Sequence, residues 1–141
     1  MRGTVHLGNP ESTVAVCTLS SMDLLDRIAG SELMEEIALA GRLLSENEGI
    51  DALIRSANSG NIRTVVLCGR EVRGHLAGHS LLELHKNGIG PGGRIAGSAS
   101  PHPVLESGQA EVDLFRGRVD IIDAIGETGL DDIGRLVRSA Q

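Results

Sequence analysis

His75 and His79 stand four residues apart in the stretch Asn61 to His85, which reads N-I-R-T-V-V-L-C-G-R-E-V-R-G-H-L-A-G-H-S-L-L-E-L-H and ends on a third histidine. A neutral imidazole nitrogen readily ligates a metal, including one carried by a ligand, and an acceptor then orients the second ring nitrogen. Glu71 and Asp120 are candidate acceptors for His75, and spacing does not rank them. Gly74 and Gly78 flank His75 four residues apart, so at a helix start they stack on one face and strip it of side chains. A bare face beside an imidazole suits a broad, planar ligand, because glycine lets a large ligand sit on the main chain.

The same residues admit plainer readings. His75 also fits a hydrogen-bonded loop residue, and the two glycines also fit close packing of a helix on a strand. His75 and His79 at i, i+4 match zinc spacing, but a two-histidine site lacks the third protein ligand such sites need. Gly69 and Gly74 resemble a phosphate loop without the Lys and Ser/Thr that follow its last glycine. His85, near a helix C-terminus, reads as a solvated residue favoured by the helix dipole. The chain order supports no Ser/His/Asp or Cys/His pairing.

The elements that must position His75 are a strand and a helix. Ile62 to Cys68 is apolar and β-branched without alternation, the pattern of a strand buried on both faces, and Gly69 ends it. Leu76 to His85 reads as a helix of strong formers closed by Asn87-Gly88. The loop between them lies at the carboxyl end of a strand, where open α/β sheets place ligands. Thr13 to Leu19 is a first strand, followed by Ser20-Ser21 as potential caps and helical turns over Met22 to Ile28 and Ser31 to Ala38. Ile37 to Gly41 reads as a short strand, Leu44 to Gly49 as a polar loop and Ile50 to Asn58 as an amphipathic helix. A glycine-rich connection from Gly88 to Pro103 then leads to Val112–Phe115 as a helical turn, a last strand at Arg118–Asp123 and a closing helix over Leu130–Ala140. Strands alternating with helices through right-handed crossovers predict an α/β fold, a Rossmann-like three-layer sandwich with a mostly parallel sheet. The strand order stays open.

A chain of 141 residues with 40% hydrophobic content makes one domain, 1–141, with a sizeable core. Residues 1–9 read as a poorly ordered start and 124–141 as a C-terminal helical segment. The net charge of −6 argues against nucleic acid or an anionic membrane surface, which clustered basic residues bind. No window approaches the roughly 18 apolar residues of a membrane span, and Met1-Arg2-Gly3 opens no signal-peptide core, so a cytoplasmic protein is expected. Cys17 and Cys68, at the ends of two predicted strands without CxxC spacing, read as buried thiols in a reducing compartment.

Five segments carry a resemblance: Gly8 to Leu19, Glu46-Asn-Glu-Gly-Ile50, Val66 to Gly78, Leu81 to Gly88, and Gly93-Arg-Ile-Ala-Gly97. With them the chain closely resembles the soluble corrinoid-binding domain of the A subunit of tetrahydromethanopterin S-methyltransferase. The resemblance implies a cobamide (cobalamin or a related corrinoid), with the histidine of G-H-x-x-G, His75, as the lower axial cobalt ligand. It implies a methyl carrier that passes a group from an N5-methyl pterin to a thiol, with a pterin-dependent methyltransferase protein as partner. Matching loops at the carboxyl edge add Thr18, Asn47, Gly69, Glu71, Gly74, Gly78, Gly97 and Ser98 to the expected cofactor site. Family members carry a C-terminal membrane anchor, and this chain stops at Gln141 with a charged helix, so either a truncated family member or a soluble homologue without an anchor is expected. Family members are expected to carry another polar residue, often Gln, where this chain has His79, which leaves a second imidazole about one turn from His75.

Overall fold

The structure, a computed structural model, describes residues 5–141. Five strands form one sheet: β1 (Val5–Leu7), β2 (Val14–Cys17), β3 (Leu39–Gly41), β4 (Thr64–Gly69) and β5 (Asp120–Ile125), in the order β1-β3-β2-β4-β5. Five α-helices accompany them: α1 (Met22–Ala29), α2 (Glu48–Ser59), α3 (Ala77–Asn87), α4 (Gln109–Arg118) and α5 (Leu130–Ala140). The fold is α/β. The sheet is mixed, because three pairings are parallel while β1 runs antiparallel to β3.

The buried runs of β2 and β4 explain their unalternating sequences. Ala15, Cys17, Val65 and Leu67 face one cluster with Ile50 and Leu53 of α2, Leu81 and Leu84 of α3, and Val112 and Phe115 of α4. Val14, Val16, Val66 and Cys68 face the other with Leu24, Leu25 and Ile28 of α1 and Ile133 and Val137 of α5. A strand covered on both sides needs apolar residues at every position. Phe115, the only aromatic residue of the chain, is fully buried, and such burial stabilises by about 1.5–3 kcal/mol.

From β2 the chain passes to β3 on one side, then returns through α2 to β4 on the other. The loops after β2 and β4 therefore diverge at the carboxyl ends of adjacent strands, which opens a crevice between them. Its floor is stitched by main chain. Gly69, at φ +77°, brings its Cα so close that a Cβ would stand 2.1 Å from the Thr18 carbonyl oxygen. Ser20 N–H donates to Arg70 O at 3.0 Å, Gly69 N–H to Glu127 O at 2.8 Å, and Gly126 N–H to Gly69 O at 2.7 Å.

Several expectations are corrected. Val5–Leu7, within the stretch read as a poorly ordered start, adds an edge strand because its backbone finds partners along β3; residues 1–4 lie outside the described residues. Ser21 occupies the cap position of α1, but its hydroxyl accepts the Arg70 N–H at 2.9 Å instead of capping the helix. The segment Ser31–Ala38 forms only a 3-10 turn, Glu32–Glu35, capped by the Ser31 hydroxyl through the Leu33 N–H. The helix read as Val112–Phe115 extends over Gln109–Arg118, and the segment from residue 124 begins as strand, because β5 runs to Ile125 before α5 starts at Leu130. Among the described residues no helix is long and apolar enough to cross a membrane.

Candidate functional site

The loop from Arg70 to Leu76 carries His75 out of the end of β4. His75 and Leu76 N–H groups both donate to Val72 O, at 3.2 and 2.8 Å, closing a tight turn. Gly74 takes φ +78°, and Leu76 sits in the left-handed region at φ 51°, ψ 48°. A leucine there costs about 1–2 kcal/mol. Contacts around α3 offset that cost. The Glu71 carboxylate accepts the Val72, Gly78 and His79 N–H groups at 2.8, 3.0 and 2.8 Å, which caps the open end of α3. The Leu76 carbonyl accepts from Ser80 N–H at 3.0 Å and from the Ser100 hydroxyl at 3.2 Å.

His75 is thereby held at the crevice with its side chain 51% exposed. Its Nδ1 lies 3.0 Å from Oε1 of Glu46, whose side chain is only 2% exposed. The other oxygen of Glu46 accepts the His102 N–H at 3.1 Å. Among the described residues, no partner engages Nε2 of His75. Sequence reasoning looked to Glu71 and Asp120 as its orienting acceptor and missed Glu46. Glu71 is committed to the α3 N–H groups, and Asp120 begins β5 at the opposite end of the strands. The available signal was the segment Glu46 to Ile50, which belongs to the resemblance.

The second imidazole is engaged elsewhere. Nε2 of His79 accepts the Ala99 N–H at 3.0 Å. Ser80 Oγ bonds Ser98 Oγ and Ser100 Oγ, each at 2.6 Å, so the glycine-rich connection is laid along α3. Among the described residues, no group of three or more His, Cys, Asp or Glu side chains is placed to hold a metal ion.

The expected site residues divide accordingly. Thr18, Gly69, Glu71, Gly74 and His75 come together at the ends of β2 and β4, with Ser98 near the start of α3. Thr18 Oγ1 is buried without a hydrogen-bond partner among the described residues, the kind of atom that a ligand group or ordered water satisfies. Asn47 caps α2, accepting the Glu48 N–H at 2.6 Å, directly after Glu46. Gly97 instead lies against Glu83 and Asn87, in the second half of α3, far from His75 along the helix.

Gly74 and Gly78 do not share a bare helical face, because left-handed Leu76 delays the start of α3 until Ala77. Gly78 is buried, and a Cβ there would meet Ile125 and Leu19 side chains at 2.9 and 3.1 Å, so it serves helix–sheet packing. Of the two, Gly74 alone faces open space, with nothing within 4 Å of a notional Cβ. His85 is not a solvated residue either: its Nε2 lies 2.6 Å from Val119 O and its ring stands edge-on to Phe115. On the α1 side of the crevice a cavity of about 390 Å³ is lined by Ser20, Ser21, Met22, Arg27, Arg70 and Thr128.

Over residues 1–140 the chain matches the family model MtrA, the A subunit of tetrahydromethanopterin S-methyltransferase. It belongs to that family. Proteins of Methanosarcina barkeri and Methanosarcina acetivorans, each named as the A subunit of a "Putative methyltransferase Mtx", are 41% and 40% identical to it, over 98% and 97% of this chain and 67% and 66% of their own length. The A subunit of tetrahydromethanopterin S-methyltransferase from Methanocaldococcus jannaschii is 37% identical, over 97% of this chain and 55% of its own length. The chain thus spans between about half and two thirds of these curated relatives. The family model and these relatives are each named as the A subunit of a methyltransferase.

Proposed function

We propose that this MtrA-family chain is a corrinoid-binding methyl carrier on a Rossmann-like three-layer scaffold, with Nε2 of His75 as the lower axial ligand of the corrinoid cobalt. The observation that carries the reading is a half-exposed imidazole at the end of β4 with Nδ1 on a buried carboxylate and Nε2 without a partner among the described residues. An imidazole presented in this way is the donor that a metal-bearing ligand needs. The open space above Gly74 leaves main chain beside His75 for a broad ligand to approach, so the residues present fit a corrinoid. When bound, the cobalt supplies the methyl-carrying chemistry, and the protein contributes binding, orientation and exclusion of water. His75 would ligate, and Glu71 and Ser100 hold the turn that presents it. The methyl group would come from an N5-methyl tetrahydropterin through a partner methyltransferase docked over this edge and pass to a thiol.

The test is spectroscopic. Hydroxocobalamin is incubated with purified protein and passed through gel filtration, and with no Trp or Tyr in the chain the corrinoid dominates the trace. Co-elution with a changed visible band that His75→Ala abolishes supports the reading. A colourless protein leaves a non-catalytic α/β module that binds a nucleotide or a metal ion and acts through partner contacts.

A further inference from the structure

We propose that Asp123 guards the free edge of the sheet: it keeps a second copy of this chain from adding its own β5, antiparallel, across a two-fold axis. The inference is independent of the corrinoid reading. β5 closes one end of the strand order and bonds to β4 alone. Whereas β2 and β4 are buried at every position, all six residues of β5 are exposed or half-buried. The N–H groups of Asp120 and Gly126 donate to Arg63 O and Gly69 O along β4, at 2.8 and 2.7 Å. Alternate residues of a parallel strand bond to the neighbour, so the main chain of 120, 122 and 124 points to β4 and that of Ile121, Asp123 and Ile125 points away. A row of outward N–H and C=O groups is a template for another strand. The opposite edge is blunted by length, because β1 has only three residues. β5 is longer and rich in isoleucine, and needs another device.

Successive side chains of a strand alternate, so those of Ile121, Asp123 and Ile125 share one face of the sheet. From that face both isoleucines pack on the cluster under α2, α3 and α4, while Ile122 and Ala124 pack on the opposite cluster. Asp123 is exposed, and its Oδ1 accepts the Ile125 N–H at 3.2 Å, so the strand's own carboxylate occupies one of the outward donors. A two-fold axis through residue 123 sets Ile121 opposite Ile125 of the second copy, a self-complementary apolar match. It also sets Asp123 opposite Asp123. Like charges directly opposite are destabilising, and the Ile125 N–H would have to leave Oδ1 to join the new ladder. Sliding the register to the next pair either way sets Asp123 opposite Ile121 or Ile125, where a carboxylate loses water and gains no partner. Without that carboxylate the outward positions 121, 123 and 125 form an unbroken apolar stripe.

The test is the oligomeric state of the purified chain, read by gel filtration with light scattering and by amide hydrogen exchange. The unaltered protein is expected to run as a monomer and Asp123→Val as a dimer of twice its mass. In that dimer amide exchange at residues 121 and 125 slows by about tenfold or more, because both N–H groups enter a ladder. Asp123→Thr, neutral and equally suited to a strand, gives the same result and replaces the valine variant should that one fold poorly. Asp123→Lys returns a charge to the edge and stays monomeric. Asp120→Val removes an exposed carboxylate whose main chain faces β4, and it stays monomeric as well. Monomers of the neutral variants at position 123, a dimer of Asp123→Lys, or an equal dimer of Asp120→Val each overturns the role given to Asp123. So does an unaltered protein that already pairs with residues 121 and 125 protected. Large aggregates in place of dimers overturn the two-fold pairing. None of these readouts involves a corrinoid, so their failure leaves the reading of His75 standing, and a protein that never binds cobalamin leaves Asp123 its role.

Discussion

Nε2 of His79 accepts the backbone N–H of Ala99 at 3.0 Å, so the second imidazole of the G-H-x-x-G-H run is occupied by its own loop. His79→Ala should therefore retain the visible band that hydroxocobalamin acquires on binding, while His75→Ala loses it. Its cost is one neutral hydrogen bond, about 1 kcal/mol in urea unfolding. The reverse pattern, a band lost with His79 and kept without His75, would transfer the ligand assignment.

Gly69 and Gly74 both hold left-handed φ angles, +77° and +78°, yet their surroundings differ. A Cβ at residue 69 would sit 2.1 Å from Thr18 O, main chain that cannot yield, whereas one at residue 74 meets nothing within 4 Å. Gly69→Ala is expected to cost about 3 kcal/mol or more, and Gly74→Ala only the backbone strain of about 1–2 kcal/mol. Denaturant midpoints of the two variants check the ordering, and equal values would contradict it.

Glu71 collects three backbone N–H groups at the turn into α3. Removing a charged acceptor from a helix end leaves those donors to water, so Glu71→Ala should lose about 2 kcal/mol of stability. Faster amide exchange at Gly78 and His79, with α5 unaffected, would locate the loss.

Burial pushes the thiols of Cys17 and Cys68 from the ordinary 9.0 up to about 12. Native protein at pH 8 should resist thiol reagents that react at once after unfolding. The sign of the linkage follows: between 9.0 and about 12 an unfolded chain releases thiol protons that the folded chain keeps, so stability falls as pH rises through that window. An alkaline titration of the unfolding free energy that stays flat there would argue against this.

The sequence announced the main elements of the sheet and helices because β2 and β4 are apolar at every position and α2 and α5 are strongly amphipathic. It also announced His75 at the carboxyl end of a strand. Strand order stayed hidden, because the pairing of β2 with both β3 and β4 depends on crossover geometry that local patterns do not encode. The glycine pair was misjudged since a left-handed leucine, which propensity disfavours, shifts the helix start past His75. Glu46 was missed for a similar reason: it sits 29 residues before His75, and the contact forms only through packing.

Beneath these side chains the bed of the crevice consists of peptide groups, where Gly69 meets the Thr18 carbonyl and the strand ends after β2, β4 and β5 are laced together. A surface of this kind presents nearly the same shape whichever side chains are attached to it. Were a ligand to rest on it, its preference would be tuned at the rim, by the residues of 70–76 and 97–102, while the anvil beneath stays fixed.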